Sequence, residues 1–198
     1  MQKLKTVLAT TLTGALFGGL VSTAVAESGD PAWDSNRLAV FNLTMHDGDT
    51  GFRALADDRF GSGPVQFALY AEFLREDAGP WTWSRTNVGP GISYRDGDNR
   101  FSLHGGVSFW ELGTSGGILG GTADTFLRLT AKHHLNEGVV LGGSLINYFG
   151  DLDGMVLSGT GRYALNDVFS LHGELQYGLD DVNGDEPRLL FGFAAHWD

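Results

Sequence analysis

Six histidines are the residues of this chain best suited to proton chemistry: His46, His104, His133, His134, His172 and His196. His104 and His172 each have a polar neighbour at a spacing of two within an alternating stretch, Ser102-Leu103-His104 and His172-Gly173-Glu174. In an extended strand, residues two apart share a face, so a base could lie beside a hydroxyl or an orienting carboxylate. Nucleophilic catalysis needs a nucleophile, a base and an orienting group within hydrogen-bond reach. The plainer expectation is a network of mutually satisfied polar side chains, and no catalytic residue is assigned. His133 and His134 are adjacent and point to opposite faces of a strand, so they do not chelate one metal together. Asp181, Asn183 and Asp185 imitate the start of a calcium-binding loop, but Glu186 stands where the sharp turn of an EF-hand requires glycine. Asp47 with Asp49 and Asp151 with Asp153 form similar carboxylate pairs at turns. Weak divalent-cation binding at these acidic loops is the most that such pairs imply; no cofactor is implied.

The elements that must position these residues are strands. In VFSLHGELQYG, residues 168–178, Phe169, Leu171, Leu175 and Tyr177 alternate with Ser170, His172, Glu174 and Gln176. This period of two marks a strand with one apolar and one polar face. It recurs in 100–112, 122–134 and 155–165, and again where Leu189, Phe191, Phe193, Ala195 and Trp197 share a parity. Ten strands are read: 36–46, 52–60, 65–75, 81–95, 100–112, 122–134, 139–149, 155–165, 168–178 and 188–197. Strand 139–149 alternates less cleanly, because Ile146 and Tyr148 fall on the polar parity. Gly89-Pro90-Gly91 is expected to place a bulge or break in 81–95. The connections alternate long (76–80, 113–121, 150–154, 179–187) and short, as in up-and-down membrane barrels with short periplasmic turns and longer outer loops. The stretch GTSGGILGG, 113–121, reads as an uncharged outer loop, either one that folds over the barrel mouth or touches a partner, or a flexible turn with no further role.

The N-terminus reads as an export signal. Lys3 and Lys5 precede an apolar run, and Ala24-Val25-Ala26 supplies a small-x-small cleavage site. The expected organisation is a signal peptide at 1–26, a lead-in at 27–35 and one barrel domain at 36–198. Lys3 and Lys5 are the only charged residues before residue 27, so cleavage would take the net charge from −11 to −13. That acidity argues against nucleic acid as a partner, because phosphates need a basic footprint. There is no cysteine, hence no disulfide and no lipoprotein acylation site.

The direction of the apolar face decides between a soluble and a membrane barrel. Gly105, Gly143, Gly159, Gly161 and Gly173 lie on the apolar parity, where they fill a core poorly but are tolerable against lipid. The other parity carries Glu72, His104, Arg128, Lys132, Arg162, His172 and Glu174. These are expected to form a lumen polar network, with Glu72 and Glu174 set against Arg128, Lys132 and Arg162. Trp81, Trp83, Tyr94, Phe109, Tyr148, Phe149, Tyr163, Tyr177 and Trp197 lie near strand ends and are read as interfacial girdles. The reading is an all-β fold: an antiparallel up-and-down transmembrane β-barrel of eight to ten strands, ten by direct count. A lumen of that size is filled mostly by side chains.

Two segments carry a resemblance. RYALNDVFSLHGELQYG, 162–178, is similar to the penultimate hairpin of small Gram-negative outer-membrane barrels, the broad OmpA-, OmpX- and YfaZ-like group. LLFGFAAHW, 189–197, resembles the C-terminal strand read by the barrel-assembly machinery, with Asp198 following the terminal aromatic. The resemblance implies location in the bacterial outer membrane, insertion by that machinery, and contact with outer-membrane lipid and lipopolysaccharide. Lipid A deacylases of similar architecture carry a His-x-Ser pair, and no histidine here has serine two residues on. The expected role is therefore structural or surface-interacting and non-catalytic. The rivals are a lipid-modifying enzyme built on His104 or His172, and a soluble periplasmic ligand-binding barrel.

Overall fold

The computed structural model describes residues 36–114, 116–179 and 187–197. These form ten strands: β1 (Arg37–His46), β2 (Asp49–Phe60), β3 (Val65–Ala78), β4 (Trp81–Asp96), β5 (Asn99–Thr114), β6 (Gly117–Asn136), β7 (Val139–Phe149), β8 (Gly154–Ala164), β9 (Phe169–Gly178) and β10 (Pro187–Trp197). Each pairs antiparallel with the next, and β1 pairs with β10 from Arg37↔Trp197 to Met45↔Leu189, closing the barrel. Both ends of the described barrel lie at one rim, here called the terminal rim; the β1–β2 turn lies at the far rim. At that turn Asp47 and Gly48 both have positive φ, 47° and 82°, the conformation of a two-residue type I′ hairpin turn.

Side-chain parity settles the direction of the apolar face. On β10, Leu189, Phe191 and Phe193 are 50–57% exposed, whereas Leu190 and Ala194 are buried. On β9, Phe169, Leu175 and Tyr177 are exposed, and Ser170, His172, Glu174 and Gln176 are buried. The same holds for Phe41, Leu43 and Met45 against Asn42 and Thr44 on β1. An exposed belt this large and continuous does not suit water; it suits hydrocarbon, with polar groups turned into the lumen. Of the glycines on the outer parity, Gly159 and Gly173 face open space, where a Cβ would meet nothing, whereas one at Gly143 would come within 3.1 Å of the Ser158 carbonyl oxygen. Trp81, Tyr94, Phe149, Tyr163 and Tyr177 are exposed, as girdle residues should be.

Several local expectations need correction. Trp83 and Tyr148 are not girdle residues, because their parity turns them into the lumen, where they join Trp110, Phe126, Ile146 and Val156 in an apolar cluster. Ile146 and Tyr148 therefore interrupt no pattern; the lumen itself is partly apolar. No bulge forms at Gly89-Pro90-Gly91. Pro90 lacks an N–H and two rungs of the β4–β5 ladder are missing, but Val88↔Val107 and Gly91↔His104 keep one register. Gly89 and Gly106 are required there, since a Cβ on either would overlap the other strand's backbone. The register shifts instead lie between Leu112 and Gly113 and between His134 and Asn136.

The expected long loops at 76–80 and 113–121 are largely strand. β3 runs to Ala78, β4 starts at Trp81, and β5 and β6 extend to Thr114 and from Gly117. The β6–β7 ladder begins only at Thr125↔Phe149, so the β5–β6 hairpin stands above β7 at the far rim. Asp124 anchors it to the β7–β8 connection by accepting from the backbone N–H groups of Asp151 (2.9 Å) and Leu152 (3.1 Å). The loop carrying Asp181, Asn183 and Asp185 lies outside the described residues.

Outward placement of Leu175 on β9, between the exposed Phe169 and Tyr177, generates a direct prediction. Leu175→Arg should destabilise the membrane-inserted barrel by about 2–4 kcal/mol, the usual cost of a lipid-facing cation near the midplane. Urea titration of the protein folded into lipid vesicles measures this, and Gln176→Ala on the inward face should not reproduce it through lipid exposure.

Candidate functional site

The candidate site is the lumen, built by inward residues of all ten strands. At its centre Arg53 of β2 donates to Glu174 of β9 across the barrel and lies 3.6 Å from Glu72 of β3. Glu72 also accepts from Arg85 Nη2 (3.3 Å) and Asn87 Nδ2 (3.0 Å), both on β4. Gln176 donates to the second oxygen of Glu174 at 2.8 Å. Arg53, Arg85 and Glu72 are at most 1% exposed. Removing charges this far from water is costly unless each meets opposite charge and hydrogen bonds, and here each carboxylate is shared by more than one donor.

Aromatic rings carry the network towards the far rim. Arg85 lies over Trp110 (5.1 Å) and Tyr148 (5.0 Å), and Trp110 stacks on Trp83 at 5.8 Å. Arg188 of β10 lies over Trp83 and donates through Nε and Nη2 to the two oxygens of Glu76, the latter at 2.9 Å. Guanidinium groups thus bridge the apolar cluster and the carboxylates, using ring faces where no anion is present. At the exposed rim itself, a hydrogen bond from Thr82 (2.8 Å) holds the Asp77 carboxyl below its ordinary range.

All seven sequence-derived lumen residues face inward, but their partners differ from those expected. Glu72 and Glu174 meet Arg53 and Arg85. Arg128 instead lies over the Tyr70 ring at 4.3 Å. Lys132 is 3.6 Å from Asp57, and Arg162 reaches no carboxylate among the described residues. His172 sits 4.0 Å from Glu174 and 3.2 Å from Asn42. His104 lies 3.8 Å from Asp57, whereas Ser102 donates to Ser93 at 3.1 Å. Neither His104 nor His172 is hydrogen-bonded to a serine hydroxyl among the described residues, and no group of three or more potential metal ligands occurs there. Arg53, Asp57, Arg85, Asn87, Glu76 and Arg188 are among the lumen residues that sequence reasoning missed. The signal for β2 was present in the inward spacing Arg53, Leu55, Asp57, Arg59, obscured by the Ala-Asp-Asp run on both parities.

Removing Arg53 would leave Glu72 and Glu174 short of their shared partner. Arg53→Ala should cost about 3–5 kcal/mol, the range for orphaning a buried charge. Arg75→Ala, at an exposed pair with Asp77, should cost under about 1 kcal/mol. Urea unfolding of both variants in the same vesicles provides the comparison.

No protein-family model and no curated protein matches the chain. Among solved structures, similarity extends to a KdgM porin in complex with disordered oligogalacturonate (9% identity, 81% of this chain and 99% of that chain, TM-score 0.44). It extends also to outer membrane phospholipase A from Escherichia coli (11% identity, 91% and 98%, TM-score 0.45). The anion-selective porin from Comamonas acidovorans gives 12% identity over 75% of this chain and 49% of that chain, with a TM-score of 0.43. Likeness at this level is of general barrel architecture only.

Proposed function

We propose that this chain is a Gram-negative outer-membrane barrel with a non-catalytic role in envelope structure and surface contact. The observation that carries this reading is a lumen crossed by its own side chains: Arg53, Glu72, Tyr70 and Arg85 are at most 1% exposed and meet partners from several strands. A small barrel stoppered in this way is suited to holding a shape in the membrane rather than to conducting solutes. Its belt of Phe41, Leu43, Leu129, Leu175, Phe191 and Phe193 suits contact with lipid tails, and it disfavours a soluble periplasmic barrel.

On this reading the terminal rim faces the periplasm and the far rim faces outwards. Asp47, Asp49, Asp77, Asp151 and Asp153 then ring the outer surface, where divalent cations would bridge them to lipopolysaccharide phosphates. The resemblance of LLFGFAAHW to barrel C-terminal strands supports insertion by the barrel-assembly machinery. Ser102 is engaged with Ser93, and His172 with Asn42, which favours polar packing over a catalytic pair.

Reconstitution in planar bilayers tests this role. The wild-type barrel is expected to give no stable open-channel steps, and resolved steps would overturn the stoppered reading. Cells carrying His104→Ala or His172→Ala are expected to retain the parental outer-membrane lipid profile. Loss of a lipid product with either variant would replace the non-catalytic reading with an enzymatic one.

A further inference from the structure

Charge is balanced unevenly along the lumen. Towards the far rim Arg53, Arg85 and Arg188 share Glu72, Glu76 and Glu174. Towards the terminal rim Arg59, Arg100, Lys132 and Arg162 all face inward; among the described residues there Asp57 is the carboxylate on the inward parity, and its buried neighbour Asp58 lies on the outer parity opposite Arg37. Asp57 is already engaged by Arg59 at 2.8 Å and Lys132 at 3.6 Å, with His104 at 3.8 Å. Among the described residues, that leaves Arg100 and Arg162 without a carboxylate in ion-pair contact.

The burial of Arg100 makes this imbalance informative. Its residue is 5% exposed, its Nε is out of contact with water, and no hydrogen bond or ion pair reaches its side chain among the described residues. The registers bring the cations together. Arg100 of β5 stands directly opposite Lys132 of β6; Lys132 is followed by Gly142 of β7, which has no side chain, and then by Thr160 of β8. Arg162 is the next inward residue along β8. Among the described residues Arg59, Arg95 and Arg162 bring like charge to Arg100, and Asp57 brings the opposing charge. From β10, His196 faces the same region at 2% exposure, within the field of Arg162, and both its ring nitrogens lack partners. Like charges gathered beside unsatisfied donors in a lipid-walled lumen call for an acceptor-rich counter-ion.

We propose that the terminal-rim half of the lumen is a binding chamber for a compact polyvalent oxyanion, gripped by the Arg100 and Arg162 guanidinium groups. Lys132 supplies a third charge and His196 a neutral N–H donor. Planar guanidinium forks on different strands match the paired oxygens of phosphate or carboxylate groups, which a halide does not offer. Lys132 is 20% exposed at its side chain and Arg162 is half-buried, so the chamber has contact with water while Arg100 forms its inner wall. The inference goes beyond the envelope role proposed above and holds whichever compartment the terminal rim faces.

Calorimetric titration of the full-length protein folded in detergent, at low salt, tests this with inorganic pyrophosphate and, separately, citrate. Unboiled gel mobility verifies folding of each sample. Saturable binding of either anion is expected, and the preferred one assigns the class as phosphate or polycarboxylate. Arg100→Gln and Arg162→Gln should each weaken binding by roughly tenfold or more, as loss of a charge-assisted contact does. Arg75→Gln, on the outer face near the far rim, should leave it unchanged. If Arg100→Gln does not fold, Arg162→Gln and an anion-dependent rise in the wild-type unfolding temperature decide the matter. Absence of saturable binding to the folded wild-type protein would overturn the proposal, as would binding that Arg162→Gln leaves intact.

Discussion

Along nine residues of each strand, from Arg37 to Met45 on β1 and from Leu189 to Trp197 on β10, antiparallel pairing joins the first strand of the barrel to its last. Within hydrocarbon no water can satisfy an open backbone edge, so this closure lets a sheet cross a membrane at all. Once the ladder is closed, each strand has only two directions left for its side chains. Phe191, Phe193 and Leu175 turn to lipid, and Glu174, Gln176 and Arg188 turn inward. The outer face then tolerates glycine, because fluid lipid fills space that a packed protein core would leave as a void.

The lumen carries the more demanding task. It must hold charged groups away from bulk water, and it does so by sharing. Glu72 serves Arg53, Arg85 and Asn87, while the faces of Trp110 and Tyr148 receive Arg85 as well. Tyr70, Phe126, Ile146 and Val156 fill the gaps with apolar surface. The far-rim half is therefore a locked mixture of ion pairs and rings, with strands from across the circumference tied through Arg53 to Glu174. Among the described residues, the terminal-rim half turns more cations than carboxylates inward, and Asp57 is already shared by Arg59 and Lys132.

Strand number, strand order and the direction of the apolar face were legible in the sequence because lipid and lumen demand opposite chemistry at alternate residues. Strand 168–178 displays that demand in nearly every position. Partners in the lumen were not legible, because parity gives a side chain's direction but not its height or the residue facing it across the barrel. Arg128 illustrates the gap: its inward direction was clear, but its seat on Tyr70 depends on the registers of the intervening strands. Trp83 and Tyr148 misled as girdle candidates, and Ile146 on the polar parity read as a flaw in the alternation, because a ten-strand lumen also needs filling. The β5–β6 hairpin misled because the stretch 113–121 has the composition of a loop, yet Gly113 pairs with Ile118 and Thr114 with Gly117, so the described strands run almost to the turn.

The central claim is that the apolar parity faces lipid. The chain has no cysteine, so single cysteines can be introduced one at a time from Ser170 to Gln176 on β9 and labelled with a fluorophore. The measurement is quenching of each label by lipids brominated along their acyl chains, with the protein folded in vesicles. The expected result has a period of two: strong quenching at 171, 173 and 175, weak quenching at 170, 172, 174 and 176. Uniform quenching, or the opposite parity, would contradict the structure's assignment of inside and outside.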